Sequence, residues 1–205
     1  MWDSNRTPTR VIEHGVMVPS GVRYTGEISR GLVIVNGLKA RGRRLGADVF
    51  ERVRRSVPLD LVGMGSEQLG GLGEVRHDQL AAFASRYRFF FNPIRYTSLG
   101  LAVCEAMMIG LPVVGLATTE MVTLIENGVS GYVDTDVEKL VEAMCQLLNN
   151  PDRARSLGEG AFCRARSRFD IGRFTRDWEE AFSLVTESRR EALSPATTPA
   201  TMPYD

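Results

Sequence analysis

Five short apolar runs, residues 31–36, 59–63, 87–92, 111–116 and 131–134, recur along this chain with helix-length segments between them. An apolar run of four to eight residues bounded by Gly, Pro or Asn reads as a buried strand. Strands joined by helical crossovers run parallel, with right-handed connections and helices on both faces. The expectation is an α/β fold, a Rossmann-like doubly wound parallel sheet. Ligands of such sheets bind beyond the carboxyl ends of the strands.

The intervening segments carry helical signals. Residues 45–55 place Val49, Phe50 and Val53 on one face, and residues 77–85 follow with Asp78 near their start. Val137, Leu140, Val141, Met144 and Leu148 recur at helical spacing over residues 137–148. Further helices are expected over 99–109, 120–126, 152–168 and 171–185. The last carries Phe174, Trp178 and Phe182 four residues apart, a stripe expected to enter the core. The glycines of 63–73 lack the Gly-x-Gly-x-x-Gly spacing of a dinucleotide fingerprint.

Residues 1–10 are polar and irregular, and 11–18 form one strand-like stretch, so the chain looks cut from something longer. From Ser188 onward it is polar and proline-bearing, a composition that buries no core. The expected organisation is a remnant of an interdomain segment over 1–26, one domain over 27–186 and a disordered tail over 187–205.

Charge and cysteine usage exclude several classes. The 25 basic and 25 acidic residues balance, so no global field favours nucleic acid or anionic lipid. Cys104, Cys145 and Cys163 form no Cys-x-x-Cys pair, and with two histidines no metal site is expected. No apolar run reaches the roughly 18 residues of a membrane span, and no secretion signal opens the chain. A cytoplasmic location is expected, with peripheral association to a membrane left open.

Between Ser98 and Thr119 the only charged residue is Glu105. An ionised carboxylate in apolar surroundings needs a partner, and this segment supplies none. A ligand presenting hydroxyl groups would serve; so would a distant Arg, or a wet helix face. Ser98 is expected to cap the helix that carries Glu105, and Gly110 to end it in a left-handed turn. Open amides at such a helix start, with the helix dipole, suit an anion. Ser98 and Glu105 would then share a face about 10 Å apart, which fits the phosphate and the sugar hydroxyls of a nucleotide. Lys39, Arg41, Arg43 and Arg44 gather four cations in six residues after the first strand. Guanidinium groups suit phosphate, although a solvated loop would look the same. Thr118, Thr119 and Glu120 end the fourth strand, where they either meet a sugar or cap the next helix.

The run Asn92-Pro-Ile-Arg-Tyr-Thr-Ser-Leu-Gly-Leu-Ala-Val-Cys-Glu-Ala-Met-Met-Ile-Gly-Leu-Pro-Val-Val114, with Ile125-Glu-Asn-Gly-Val-Ser-Gly-Tyr-Val133 after it, resembles one half of a known enzyme class. That half is the carboxy-terminal, nucleotide-sugar-binding domain of a family 4 retaining glycosyltransferase (glycosyl transferases group 1) of the GT-B fold. The resemblance spans roughly residues 27–186 and is sharpest in the Glu-Ala-Met-x-x-Gly-x-Pro-Val-Val core. It implies hexosyl transfer from a nucleotide-sugar donor, without metal or other cofactor. The sugar or lipid-linked acceptor would be held by a separate amino-terminal domain, and no nucleic acid would be involved. Glu105 matches the carboxylate that grips the ribose, and Leu99 and Gly100 match the amides over the diphosphate.

Three departures from the family pattern stand out. Thr97 occupies the place of a second Glu, Thr119 and Glu120 that of a Gly-Gly pair, and Arg41, Arg43 or Arg44 must replace the usual Arg and Lys. The donor site implied is Thr97, Ser98, Leu99, Gly100 and Glu105 with Arg41, Arg44, Thr119 and Glu120; the resemblance places catalysis in the cleft between this half and the acceptor domain and assigns no catalytic residue here. A non-catalytic nucleotide-binding or interaction module of the same fold is the alternative.

Overall fold

Five strands form in the computed structural model, which describes residues 9–193 and side chains to residue 186. They are β1 (Ile28–Ile34), β2 (Leu59–Val62), β3 (Tyr87–Asn92), β4 (Val113–Leu116) and β5 (Gly131–Asp134). All pairings are parallel, in the order β2-β1-β3-β4-β5. Every residue of β3 is buried, as expected of a central strand covered on both faces. Phe89 and Phe91 join one core with Val33, Phe50 and Leu140, whereas Phe90 joins the other with Leu32, Val103 and Met107.

The helices are α1 (Leu38–Arg41), α2 (Ala47–Val53), α3 (His77–Ala84), α4 (Leu101–Met108), α5 (Met121–Leu124), α6 (Val137–Asn149), α7 (Pro151–Arg168) and α8 (Ile171–Leu193). Side-chain caps fix three starts: Asp136 accepts from the Glu138 amide, Asn150 from the Arg153 amide and Asp170 from the Arg173 amide. Gly110 adopts φ 83° after α4, the left-handed ending its position suggested.

The sheet order places the site. The chain runs from β1 outward to β2, then returns to β3 on the other side of β1. That reversal opens a crevice at the carboxyl ends of β1 and β3, between the loops that follow them. Beyond β2 the glycine-rich segment covers the sheet edge, with the Leu72 amide donating to Leu61 O and the Gly63 amide to Gly73 O.

Four expectations need correction. The helix expected over 45–55 is shorter: a 3-10 turn (Gly42–Leu45) and Gly46 at φ 80° precede α2. Residues 11–18 make no strand. Val16 alone bridges to Asp170, while Arg173 donates to the carbonyls of Glu13 and His14 and straps the segment to α8. The helix α8 continues through residues 187–193, assigned above to a disordered tail, because Glu, Arg and Ala there are good helix formers; residues 194–205 lie outside the described residues. The aromatic stripe does not enter the core. Trp178 is 41% and Phe182 62% exposed, since the chain around Gly15 packs closely at Phe174 and, among the described residues, little else covers the face.

Candidate functional site

The helix α4 begins at Leu101, preceded by Gly100 in extended conformation, and no side chain caps it. Ser98 is therefore not its cap and shares no helical face with Glu105. The Ser98 carbonyl is held instead by Thr119 Oγ1 at 2.8 Å and by the Glu120 amide at 3.4 Å, which fixes Ser98 in the loop. The Val103 amide turns back to Gly100 O at 3.0 Å, whereas the Leu101 and Ala102 amides of this uncapped first turn keep their affinity for an anion. A Cβ on Gly100 would meet nothing within 4 Å, so the space before the helix is open.

Lys39 and Arg41 on α1, and Arg43 and Arg44 on the 3-10 turn that follows it, are exposed in the segment after β1, across the crevice from the loop after β3. The two loops are bound together. The Tyr96 amide donates to Arg44 O at 3.3 Å, and Arg95 donates to Arg43 O at 3.2 Å. Arg95 also forms a two-pronged bond with the Asp48 carboxylate, which holds that carboxyl below its ordinary range. Arg41 and Arg44 have no side-chain ion pair or hydrogen bond among the described residues, leaving both guanidinium groups for an anion. The basic segment after β1 and the segment that leads into α4 thus lie against each other at the switch point of the sheet.

Glu105 occupies the second turn of α4. It is half-buried, and its carboxylate has no hydrogen bond or ion pair within the described residues. Apolar surroundings raise its pKa above the ordinary value, an effect that the nearby His77 partly offsets. The carboxyl faces a cavity of about 380 Å³ between α3 and α4, walled by Ile34, Leu80, Ala81 and Ala102 and bordered by Met17 and Val18. Among the described residues no distant Arg pairs with this acid.

Thr97 is half-buried in the loop before α4. Thr118, Thr119 and Glu120 stand at the same rim but do not cap α5 with their side chains. Thr118 Oγ1 donates to Ile94 O at 3.1 Å, and the Glu120 carboxylate accepts from Thr123 Oγ1 at 3.0 Å and pairs with Arg168 at 3.5 Å. Sequence reasoning missed His77 and Arg95 as contributors, and for Thr118 it missed the partner. Arg95 and Asp48 are 47 residues apart and Thr118 and Ile94 are 24 apart, so no local pattern could have marked those contacts.

Residues 31–150 match the family model described as Glycosyl transferases group 1. Trehalose synthase of Pyrococcus horikoshii is 36% identical over 72 residues, which is 35% of this chain and 17% of that protein. Sucrose-phosphate synthase from Thermosynechococcus elongatus has a similar structure, with a TM-score of 0.74 at 20% identity over 91% of this chain and 55% of its own. A mutant of S. aureus TarM, solved with fondaparinux, alpha-GlcNAc-glycerol and UDP, gives a TM-score of 0.72 at 15% identity over 87% of this chain and 41% of its own. These structural likenesses establish the shared fold. The chain spans about half the length, or less, of these three proteins.

Proposed function

The chain belongs to the group 1 glycosyl transferases, and from that membership we propose that it is the donor-binding, carboxy-terminal half of a retaining, family 4-like enzyme. The reaction is transfer of a hexosyl group from a nucleotide sugar. The observation that carries this reading is Glu105: a half-buried carboxylate with unused acceptor oxygens, facing a cavity one helix turn behind open amides.

In this reading the α4 amides and the guanidinium groups of Arg41 and Arg44 hold the diphosphate, and Glu105 accepts from the ribose hydroxyls. As the bond from the sugar to the diphosphate breaks, negative charge gathers on the departing group. Donors already fixed around that group stabilise the charge without reorganising. The UDP bound by TarM, a neighbour in fold, supports a nucleoside diphosphate as the leaving group. The scheme calls for no metal ion or other cofactor. Residues 27–186 form the donor domain, residues 9–26 lead in from an amino-terminal domain, and that domain holds a sugar or lipid-linked acceptor. No helix among the described residues is long and apolar enough to cross a membrane, which accords with a cytoplasmic enzyme acting in solution or at a membrane surface.

Titration calorimetry with UDP, GDP, ADP and their hexose conjugates tests the reading. Micromolar binding of at least one is expected, weakened about 30-fold or more in Glu105→Ala, since hydrogen bonds to a charged group contribute about 1.5–3 kcal/mol each. Absence of binding by every nucleotide would overturn the proposal.

The raised pKa of Glu105 gives a second prediction. Ribose hydroxyls donate to the ionised carboxylate, so affinity should fall as the pH drops from neutrality into the range where Glu105 protonates, above its ordinary value. Stability has the opposite sense. A carboxyl whose folded pKa is raised contributes stability that is fully present below the unfolded value and lost as pH rises through the folded value. Glu105→Gln should therefore melt at or above the parent temperature near neutral pH, and its nucleotide affinity should lose most of its pH dependence. A parent affinity that does not fall on acidification from neutrality, while the protein remains folded, would contradict the assignment.

A further inference from the structure

Thr119 is the sole non-glycine residue among the described residues with φ in the left-handed region, at 47°. A β-branched residue adopts that conformation at a cost, and holds it where its surroundings impose it. Here the surroundings are hydrogen bonds to a single neighbouring segment. The Thr119 hydroxyl donates to Ser98 O at 2.8 Å, the Glu120 amide donates to the same oxygen at 3.4 Å, and the Thr118 hydroxyl donates to Ile94 O at 3.1 Å. Both ends of residues 94–98 are thereby gripped from the β4 side. Arg95, with Asp48 and Arg43 O, grips the same segment from the β1 side. This segment leads directly into Leu99, Gly100 and the open amides of α4.

We propose that Thr119 is a positioning residue for the donor diphosphate, presetting the turn of Ser98, Leu99 and Gly100 so that its amides converge before the ligand arrives. The inference rests on the nucleotide-sugar reading above. Glycine, which the family resemblance puts at this position, would accept φ 47° without strain but would offer no hydroxyl to Ser98. This chain keeps the strain together with the bond. A residue serving only the fold would gain nothing from that combination, because relaxing the backbone would stabilise it. A turn fixed in advance binds better because less ordering remains to be done on association.

The experiment compares the parent, Thr119→Gly and Thr119→Ser in three measurements: melting temperature, affinity for the nucleoside diphosphate that the parent binds, and affinity for the corresponding nucleoside by ligand-observed NMR. Thr119→Gly should melt at or above the parent temperature yet bind the diphosphate about 5–10-fold more weakly, with nucleoside affinity unchanged, the loss matching one hydrogen bond. Thr119→Ser keeps the hydroxyl and should recover most of the diphosphate affinity. Parental diphosphate affinity in Thr119→Gly, an equal loss for nucleoside and diphosphate, or no recovery in Thr119→Ser would overturn the positioning role. If Glu105→Ala still weakens binding about 30-fold or more in that case, the donor-binding reading stands without it; a parent that binds no nucleotide overturns both.

Discussion

Replacing Gly46 with alanine is expected to destabilise the protein by about 4 kcal/mol or more and to disrupt the anion site in whatever remains folded. Gly46 has φ 80°, and an added Cβ would stand 1.9 Å from Pro93 O and 2.6 Å from Pro93 C. The obstacle is backbone, so no change of rotamer relieves it. Gly46 also joins the 3-10 turn to α2, with its amide bonded to Arg43 O and its carbonyl accepting from the Phe50 amide. Relief would require the loop after β1 to lift from the loop after β3. That movement would separate Arg43 and Arg44 from Arg95 and Tyr96 and so open the very crevice where the two anion-suited elements meet. Gly21→Ala is the control: its φ is 87°, but an added Cβ meets nothing within 4 Å, so only the conformational preference is lost, about 1 kcal/mol. Urea denaturation of both variants separates strain from collision. A Gly46→Ala protein no less stable than Gly21→Ala would show that the two loops are not rigidly apposed.

The contrast between these glycines bears on what a sequence can disclose. The five strands were legible because an apolar run between glycines and prolines has few other uses, and a strand buried on both faces leaves no question of register against solvent. The helix α6 was legible from spacing alone. The interruption at Gly42 and Gly46 was not, because Val49, Phe50 and Val53 satisfy a short helix as well as a long one. Glu105 announced itself by contrast with its immediate neighbours, a local property. Ser98 misled for the same reason: it is a good capping residue by type, but its carbonyl is claimed by Thr119, 21 residues later in the chain. The stripe of Phe174, Trp178 and Phe182 shows the remaining limit. Helical spacing establishes that three rings share a face, but not that anything covers it.

Arg88 was equally silent in sequence, and its removal is expected to produce the other large effect. It sits in β3 between Tyr87 and Phe89, buried to 7% exposure. Its guanidinium donates to Gly26 O at 2.9 Å and to Leu147 O and Leu148 O at 3.4 and 3.2 Å. The last two carbonyls belong to the final turn of α6, where a helix leaves carbonyls without intrahelical partners and accumulates partial negative charge. The cation therefore closes a helix end from within the sheet. It also lies under Tyr24, whose hydroxyl donates to Arg88 O and whose pKa burial pushes up to about 12. Arg88→Met keeps the apolar stem but leaves several buried carbonyls unbonded, and should destabilise the protein by about 3 kcal/mol. Arg88→Lys should recover only part of this, because one ammonium cannot span acceptors that a planar fork reaches together. Since Arg88 lies near the start of β3 and the anion site lies beyond its end, the folded fraction of Arg88→Met should bind nucleotide with parental affinity. Denaturant midpoints and calorimetry on the same samples check both halves. A stable Arg88→Met would mean that the α6 carbonyls find other donors, and a folded variant with weakened binding would mean that strain at one end of β3 reaches the other.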